Sequence, residues 1–306
     1  MTETDNDAPR DAPRDAPKED NPFVTTRIEA GHSAQSAQDH NRLWWELKPM
    51  TYEPWENEDR LPKDAAAFEA MEEYLLARSP FLSTCFDAAG LCGQRVLDLG
   101  CGSGVLSCYL AKNGADVTAA DITDQGTALT SKNATLRNLP VDVVRTDAEA
   151  MGLADNSFDF VLSWGVLHHS ENTERALAEV RRVLRPGGRG MMMVYHRNSL
   201  VFWLKGLYWL LARGRIFRGD TFSTATNYYA DGYYHRHFQN GELAASLRSA
   251  GLTPRMMTAT EQDGPILPGV SGWLDAALKA RFGWYLVAEF EKPAELGETP
   301  RAESGV

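Results

Sequence analysis

A run of spaced glycines, three acids and a pair of neighbouring histidines are the residues of this 306-residue chain whose types and spacing could do chemistry. Asp98 opens the run Asp98-Leu99-Gly100-Cys101-Gly102-Ser103-Gly104, in which glycine recurs at every second position. Glycine enters left-handed backbone without strain and lets a ligand approach the main chain. Such a run between an apolar strand and a helix start therefore makes a pocket for a nucleotide-type ligand, faced by unpaired helix N–H groups. The dinucleotide spacing G-x-G-x-x-G is not met, because Val105 stands where its third glycine would fall. Asp121 follows 17 residues after Gly104 at the end of another apolar run, where a carboxylate is placed to accept from both hydroxyls of a ribose. Imidazole titrates near neutrality, so one of His168 and His169 is a candidate general base. As neighbours they point different ways, and the other then braces the loop; the competing role for both is to hold backbone carbonyls. No carboxylates at metal-ligand spacing accompany them, so no metal site is assigned.

Alternating strands and helices must position these groups. The pattern predicts strands at Arg95–Leu99, Asp116–Ala120, Val141–Arg145, Ser157–Ser163 and Arg189–Tyr195. Helices are expected over Ser103–Lys112, stopped by Gly114, over Gln125–Asn138, ahead of Pro140, and over Asn172–Leu184, ended by Arg185-Pro186-Gly187-Gly188. The third strand delivers Thr146-Asp147-Ala148 and the fourth delivers Trp164-Gly165-Val166-Leu167-His168-His169-Ser170. Further on, a helix Glu242–Ala250, a sixth strand Leu252–Thr260, a helix Trp273–Phe282 and an alternating edge strand Trp284–Phe290 complete a doubly wound α/β fold.

The stretch Val96–Gly104, with its acid two positions before the first glycine, resembles the signature of the Rossmann-like S-adenosylmethionine-dependent methyltransferases. The resemblance runs without a gap from Gln94 to Tyr195 and includes Arg182-Val183-Leu184-Arg185-Pro186-Gly187-Gly188 before an apolar strand. It implies a seven-stranded, mostly parallel sheet in the order 3-2-1-4-5-7-6, to which this chain adds a helical N-terminal extension and, where it departs from the minimal fold, a lid-like insertion after strand 5. It implies S-adenosyl-L-methionine as cofactor, bound by Asp98, Gly100, Cys101, Gly102, Gly104, Asp121, Ile122, Asp147, Ala148 and Ser163. Asp147 would meet the exocyclic amine of the adenine and Asp121 the ribose. The expected reaction is methyl transfer to an O, N or C atom of a small-molecule acceptor, with His168 and His169 as the catalytic candidates. The loop after strand 4 lacks the Asn/Asp-Pro-Pro-aromatic tetrapeptide of enzymes acting on nucleobase amines. Val166-Leu167-His168-His169 instead resembles the branch that includes quinone-biosynthesis and natural-product methyltransferases. A nicotinamide-dependent oxidoreductase, a non-catalytic adenosylmethionine-binding protein and a lipid or quinone methyltransferase docked on a membrane remain as alternatives.

Bulk properties bound the rest. A formal net charge of −11 argues against a nucleic-acid partner, because phosphate neutralisation needs clustered Lys and Arg. The chain has no run of about 18 apolar residues and a polar N-terminus, so a cytoplasmic protein is expected. Cys85, Cys92, Cys101 and Cys108 are not at C-x-x-C spacing and read as reduced thiols. Residues 1–22, with proline at every fourth position over Pro9, Pro13 and Pro17, read as a disordered tail. Residues 23–92 read as a helical aromatic-rich extension, with a helix over 64–78 carrying Phe68, Met71 and Leu75, and with Trp44-Trp45 as either lid or satellite core. The methyltransferase domain is expected over 93–292, and a polar tail over 293–306. Within the insertion 196–238, the apolar helix 200–212 with its basic exit is read as a buried lid in preference to a membrane-contacting helix, because its apolar residues run nearly all round. Tyr228, Tyr229, Tyr233, Tyr234, His235 and His237 are expected to offer a substrate some of its lining.

Overall fold

Arg95–Leu99 is buried from Val96 onward and forms β1, the centre of the sheet of the computed structural model. The structure describes residues 37–49, 61–79, 82, 87–222, 225–226, 234–260, 266–267 and 269–294. The N-terminal tail, the polar tail beyond 294, Tyr52, Trp55, Phe81, Cys85, Phe86, Tyr228, Tyr229 and Tyr233 lie outside the described residues. On one side β1 is joined in parallel by β2 (Asp116–Asp121) and then β3 (Val141–Arg145), on the other by β4 (Phe158–Trp164) and β5 (Leu184–His196). A two-residue strand, β6 (His237–Phe238), pairs in parallel with the end of β5. Next come β7 (Thr253–Thr260) and β8 (Tyr285–Glu291), which is antiparallel to both β5 and β7. The order is β3-β2-β1-β4-β5-β8-β7 with β6 off the path, which matches the expected seven-strand order once β6 is set aside.

Two details differ from the pattern-based reading. The stretch expected at the edge, Trp284–Phe290, lies inside the sheet between β5 and β7, and Thr253–Thr260 is the edge instead. Both alternate, but Leu286, Val287 and Ala288 are buried consecutively, the mark of a strand covered on both faces. Strand β5 also begins earlier than expected. Leu184 already pairs with Phe158, and Arg185–Gly188 is accommodated as a register shift, with Gly187 at a positive φ of 73°.

Alternation along β5 shows how the two cores divide. Met191 and Met193 face one core with Val96, Leu162 and Val287, while Met192 and Val194 face the other with Leu97, Leu99 and Val161. The helices α1 (Ala37–Leu47), α2 (Ala65–Arg78), α3 (Val105–Lys112) and α4 (Asp124–Leu136) precede β3 in the chain. Met71 and Leu75 of α2 and Val105, Leu106 and Leu110 of α3 fill the first core, and α4 packs beside α3. The second core is covered by α5 (Thr173–Val183), through Leu177, Val180 and Val183, and α7 (Asn240–Ser249), through Leu243 and Leu247. Between them in sequence lies α6 (Leu200–Leu207), continued by a π-helical turn at Tyr208–Ala212; α8 (Gly272–Phe282) precedes β8.

The expectation that 200–212 is buried all round is corrected. Phe202, Gly206 and Trp209 turn inward, whereas Trp203, Leu204, Leu207 and Leu211 are exposed. Among the described residues no helix is long and apolar enough to cross a membrane.

A buried ion pair holds the N-terminal helices to the sheet layer. Glu72 of α2 accepts from Arg137, just past α4, at 2.7 Å and from Lys112 of α3 at 3.3 Å, and both the Glu72 and Arg137 side chains are almost fully buried. Truncating one member strands the other charge away from water. Glu72→Ala is therefore expected to lower stability by about 3 kcal/mol. Glu72→Leu with Arg137→Met should recover most of that loss in urea unfolding, and full additivity of the two single substitutions would contradict a coupled pair.

Candidate functional site

The carboxyl ends of β1, β2 and β4 frame the site, as the switch point of such a sheet requires. After β1 the chain turns through Gly100, Gly102 and Gly104 at φ values of 83°, 54° and 72°. At Gly100 the need for glycine is double, since a Cβ there would also lie 2.1 Å from the Val166 side chain. The Gly102 N–H donates to Asp121 Oδ2 at 3.0 Å, while Asp121 Oδ1 accepts from the Thr123 N–H at 2.9 Å and the Thr123 hydroxyl at 2.7 Å. Thr123 in turn caps α4 by accepting from the Gly126 N–H at 3.0 Å. Asp121 thus braces the turn and still lines the cleft above it.

That cleft, about 900 Å³ with its open mouth, is lined by Gly100, Gly102, Asp121, Ile122 and Ala148 from the predicted set, together with Thr146, Trp164, Val166 and His169. A second cavity adjoins it, sharing Gly100, Gly102, Trp164, Gly165 and Tyr195, and adds Asp98 and Cys101. Asp98 is buried and accepts from the Ser107 hydroxyl. Burial pushes its carboxyl up to about 6, with the nearby Asp121 charge adding to the rise and the Ser107 hydrogen bond opposing it. Burial also raises the Cys101 thiol well above its ordinary range, so it is a neutral wall group. A buried acid thus faces one cavity and a half-buried acid the other, with the glycine backbone of the turn between them.

Other predicted residues stand apart. Gly104 is the left-handed start of α3, where a Cβ would meet Thr130 at 2.8 Å, and it acts on the cleft through backbone shape alone. Asp147 does not line the main cleft. Its Oδ1 accepts from Gln38 Nε2 at 3.0 Å and from the Glu149 N–H at 2.9 Å in a polar recess at the rim, with Arg42, Ile122 and Arg145. Arg182 pins the loop behind it by donating to the carbonyls of Met151 and Leu153. Ser163 is buried in β4 and lines neither cavity.

The roof is α1, which pattern reading left as lid or core. Gln38, Asn41, Arg42 and Trp45 recur at helical spacing and line the cleft, while Trp44 is buried. Three ties hold the roof down. Asn41 donates from Nδ2 to the carbonyls of His169 and Tyr234, at 2.7 and 2.8 Å, and its Oδ1 accepts from the Tyr234 N–H. Glu46 accepts from the N–H groups of Asp124 and Gln125, a carboxylate from α1 capping the N-terminus of α4. Gln38 completes the set at Asp147. The signal for this roof was present in the sequence as the face Gln38, Asn41, Arg42, Trp45.

The two histidines divide. His169 lines the cleft, with its ring edge-on to Trp45. Its Nδ1 lies 3.2 Å from the Tyr234 carbonyl; a carbonyl only accepts, so Nδ1 is the donor of that hydrogen bond. His168 is fully buried, lines neither cavity, and has no hydrogen-bond partner at either ring nitrogen. It packs 4.0 Å from His169 and 4.1 Å from Tyr195, centroid to centroid. Tyr195, at the end of β5, is ringed by His168, His169, His235, His237 and Trp284, and it lines both cavities. This cluster forms because β6 brings His237 against the end of β5, a long-range pairing with no local signal. Among the described residues no group of His, Cys, Asp or Glu is placed to hold a metal ion.

A family model described as "Methyltransferase domain" matches residues 97–192. Over 96 residues the chain is 38% identical to a ubiquinone biosynthesis O-methyltransferase of Rhizobium etli, covering 31% of this chain and 39% of that protein. A ubiquinone biosynthesis O-methyltransferase of Ralstonia nicotianae is 28% identical over 174 residues, 56% of this chain and 68% of that one. The chain therefore spans less than half of the Rhizobium relative's length. The crystal structure of an S-adenosylmethionine-dependent methyltransferase from Mesorhizobium loti has the same fold, with a TM-score of 0.52, 20% identity, and coverage of 73% of this chain and 99% of that one.

Burial, then the charges of its histidine neighbours, holds His168 well below the ordinary histidine range, and burial does the same for His237. The unfolded chain takes up these protons near pH 6.5 and the folded one refuses them, so their stabilisation is complete above that pH and is lost as pH falls. Asp98 works the other way, since the folded state binds its proton near 6 and the unfolded state only near 4. Two histidines outweigh one acid, so stability should fall from pH 6.5 to 5. Replacing His168 by Leu removes two unpartnered nitrogens and one titration. Urea unfolding across this range should show a gain of about 1 kcal/mol at pH 7 and a slope shallower by about 1.4 kcal/mol per pH unit; an unchanged slope would contradict the assignment.

Proposed function

We infer that this chain, a member of the Rossmann-like S-adenosylmethionine-dependent methyltransferase family through its residues 97–192, transfers a methyl group to a hydroxyl on the ring of a small aromatic acceptor. The observation that carries this reading is the junction of the two cavities, where Tyr195 and Trp164 line both and His169 lines the larger cleft beside them. Bound S-adenosylmethionine supplies a methyl group already activated by its sulfonium. Asp98 would hold the amino-acid end, Gly100 and Gly102 the backbone floor, Asp121 the ribose, and Ile122 and Ala148 the flat faces of the base, with Asp147 reaching the base edge from the rim recess. Cys101 contributes wall and no charge.

Trp45, Trp164 and Tyr195 give the acceptor aromatic surfaces to stack on, and α1 closes water out above them. His169 is positioned to take the hydroxyl proton at Nε2 as the oxygen attacks, its other nitrogen held by the Tyr234 carbonyl. His168 takes no part in proton transfer and serves as packing behind His169. An activated donor leaves most of the acceleration to positioning, so the base is secondary. The likeness to proteins named ubiquinone biosynthesis O-methyltransferases supports a phenolic acceptor and oxygen as the methylated atom. The free thiols of Cys92, Cys101 and Cys108 fit a reducing compartment, and the cytoplasm is the place we propose.

Incubation with methyl-labelled S-adenosylmethionine and a panel of catechols and hydroquinones, read by mass spectrometry, should give a labelled aryl methyl ether. His169→Gln should lower kcat by about tenfold to a hundredfold, at the low end of general-base effects, and leave cofactor affinity intact. Asp121→Ala should weaken the cofactor. Equal loss of cofactor affinity in both variants, or label on no phenol, would contradict the reading. Because Asp98 must be ionised to hold an ammonium, cofactor affinity should also fall below pH 6 by up to about tenfold per pH unit; affinity flat from pH 8 to 5 would exclude that role.

A further inference from the structure

The segment after β5 leaves a surface that methyl transfer does not use. Along α6, the π-helical turn and the 3-10 turn Arg215–Arg218, the inward positions Phe202, Gly206 and Trp209 are buried. The outward positions Trp203, Leu204, Leu207, Tyr208, Leu211, Ile216 and Phe217 are all exposed, with Trp203 at 54%, Leu211 at 53% and Phe217 at 90%. Soluble surfaces scatter single apolar groups; seven large ones within fifteen residues on one side of a continuous element form a patch. Phe217 stands on a tip bounded by two left-handed glycines, Gly214 at φ 65° and Gly219 at φ 82°, which hold the turn tight.

We propose that this outward face docks the protein on an anionic lipid bilayer. Charge decides the occupant. From Leu200 to Gly219 the chain carries Lys205, Arg213, Arg215 and Arg218 and no Asp or Glu, in a molecule whose formal net charge is −11. Arg215 is buried on Asp220, and Lys205 turns inward over the Trp284 ring, but Arg213 and Arg218 are exposed at the apolar tip. An anionic headgroup layer complements that basic rim, while repelling the acidic remainder of the surface, and so fixes one orientation. Pairing of two copies through the same face would set the two basic rims against each other. Trp203 and Tyr208 are the ring types that settle at headgroup depth, and leucines with a protruding phenylalanine are the side chains that enter the acyl boundary. The helix lies on the bilayer rather than through it. Its inner side contacts the histidine cluster, Phe202 lying 4.6 Å from the His237 ring, so the docked face is one layer from the cleft.

Co-sedimentation of the full chain with vesicles tests this without reference to methyl transfer. Binding should be clear on equimolar phosphatidylcholine and phosphatidylglycerol, weak on phosphatidylcholine alone, and reduced by salt. Leu211→Ser with Phe217→Ser should weaken it by about tenfold or more, and Arg218→Gln should weaken it on the anionic vesicles only. Both substitutions change exposed side chains; unchanged thermal unfolding confirms the fold, and Phe217→Ser alone serves if the double variant is unstable. No sedimentation of the wild type, or equal binding by the variants, overturns the proposal. A concentration-dependent dimer abolished by the double variant, with no vesicle binding, also overturns it and assigns the face to a second copy.

Discussion

One carboxylate holds the carboxyl edge of this sheet in working shape. Asp121 closes β2, ties down the Gly102 N–H across the glycine turn and fixes Thr123 as the cap of α4. The turn cannot find this path with any other residue at Gly100, where positive φ and the contact with Val166 exclude a Cβ together. Everything that faces the cleft is referenced to that turn. Val166 leads into the turn that carries His169, and Glu46 reaches the α4 N-terminus that Asp121 helps to start. A substitution at Asp121 therefore acts on the shape of the turn and on the start of α4.

The roof and the floor are stabilised differently. The floor is backbone, held by strand pairing and by one charged side chain. The roof is a single helix held by polar side chains, of which Asn41 has its carbonyl and amide groups all engaged. Each of these bonds is worth about 1 kcal/mol net, so the roof is far easier to lift than the sheet is to unfold. A helix held so lightly over a cleft is the kind of element that can open and close on it.

Strands β1 to β5 are legible in the sequence because their apolar runs are short and bounded by turn residues, although β3 is only partly buried. The order of the last two strands was legible only through family resemblance; alternation alone misplaced Trp284–Phe290 at the edge, since period-two patterning does not say how many faces are covered. At the site, local spacing singled out the glycine turn, Asp98 and Asp121, and the family resemblance added Ala148; Gly100, Gly102, Asp98, Asp121 and Ala148 all line the two cavities. Spacing left His168 and His169 equivalent, because only the fold decides which of two adjacent side chains turns toward the cleft. Asn41 and Glu46 act through partners more than 75 residues away in the chain, Tyr195 meets His237 and Trp284 only through the pairing of the sheet, and Ser163 is buried and lines neither cavity. The outward face of 200–217 was hidden by its composition: a helix apolar on all sides reads as buried, and only its position at the surface exposes half of it.

The central claim is that the glycine turn and its two acids form a pocket for the methyl donor rather than for a dinucleotide. Calorimetric titration of the full chain with S-adenosylhomocysteine and, separately, with NADH tests it most directly. The expected result is one S-adenosylhomocysteine bound per chain and no heat from NADH. Binding of NADH with no response to S-adenosylhomocysteine would contradict it.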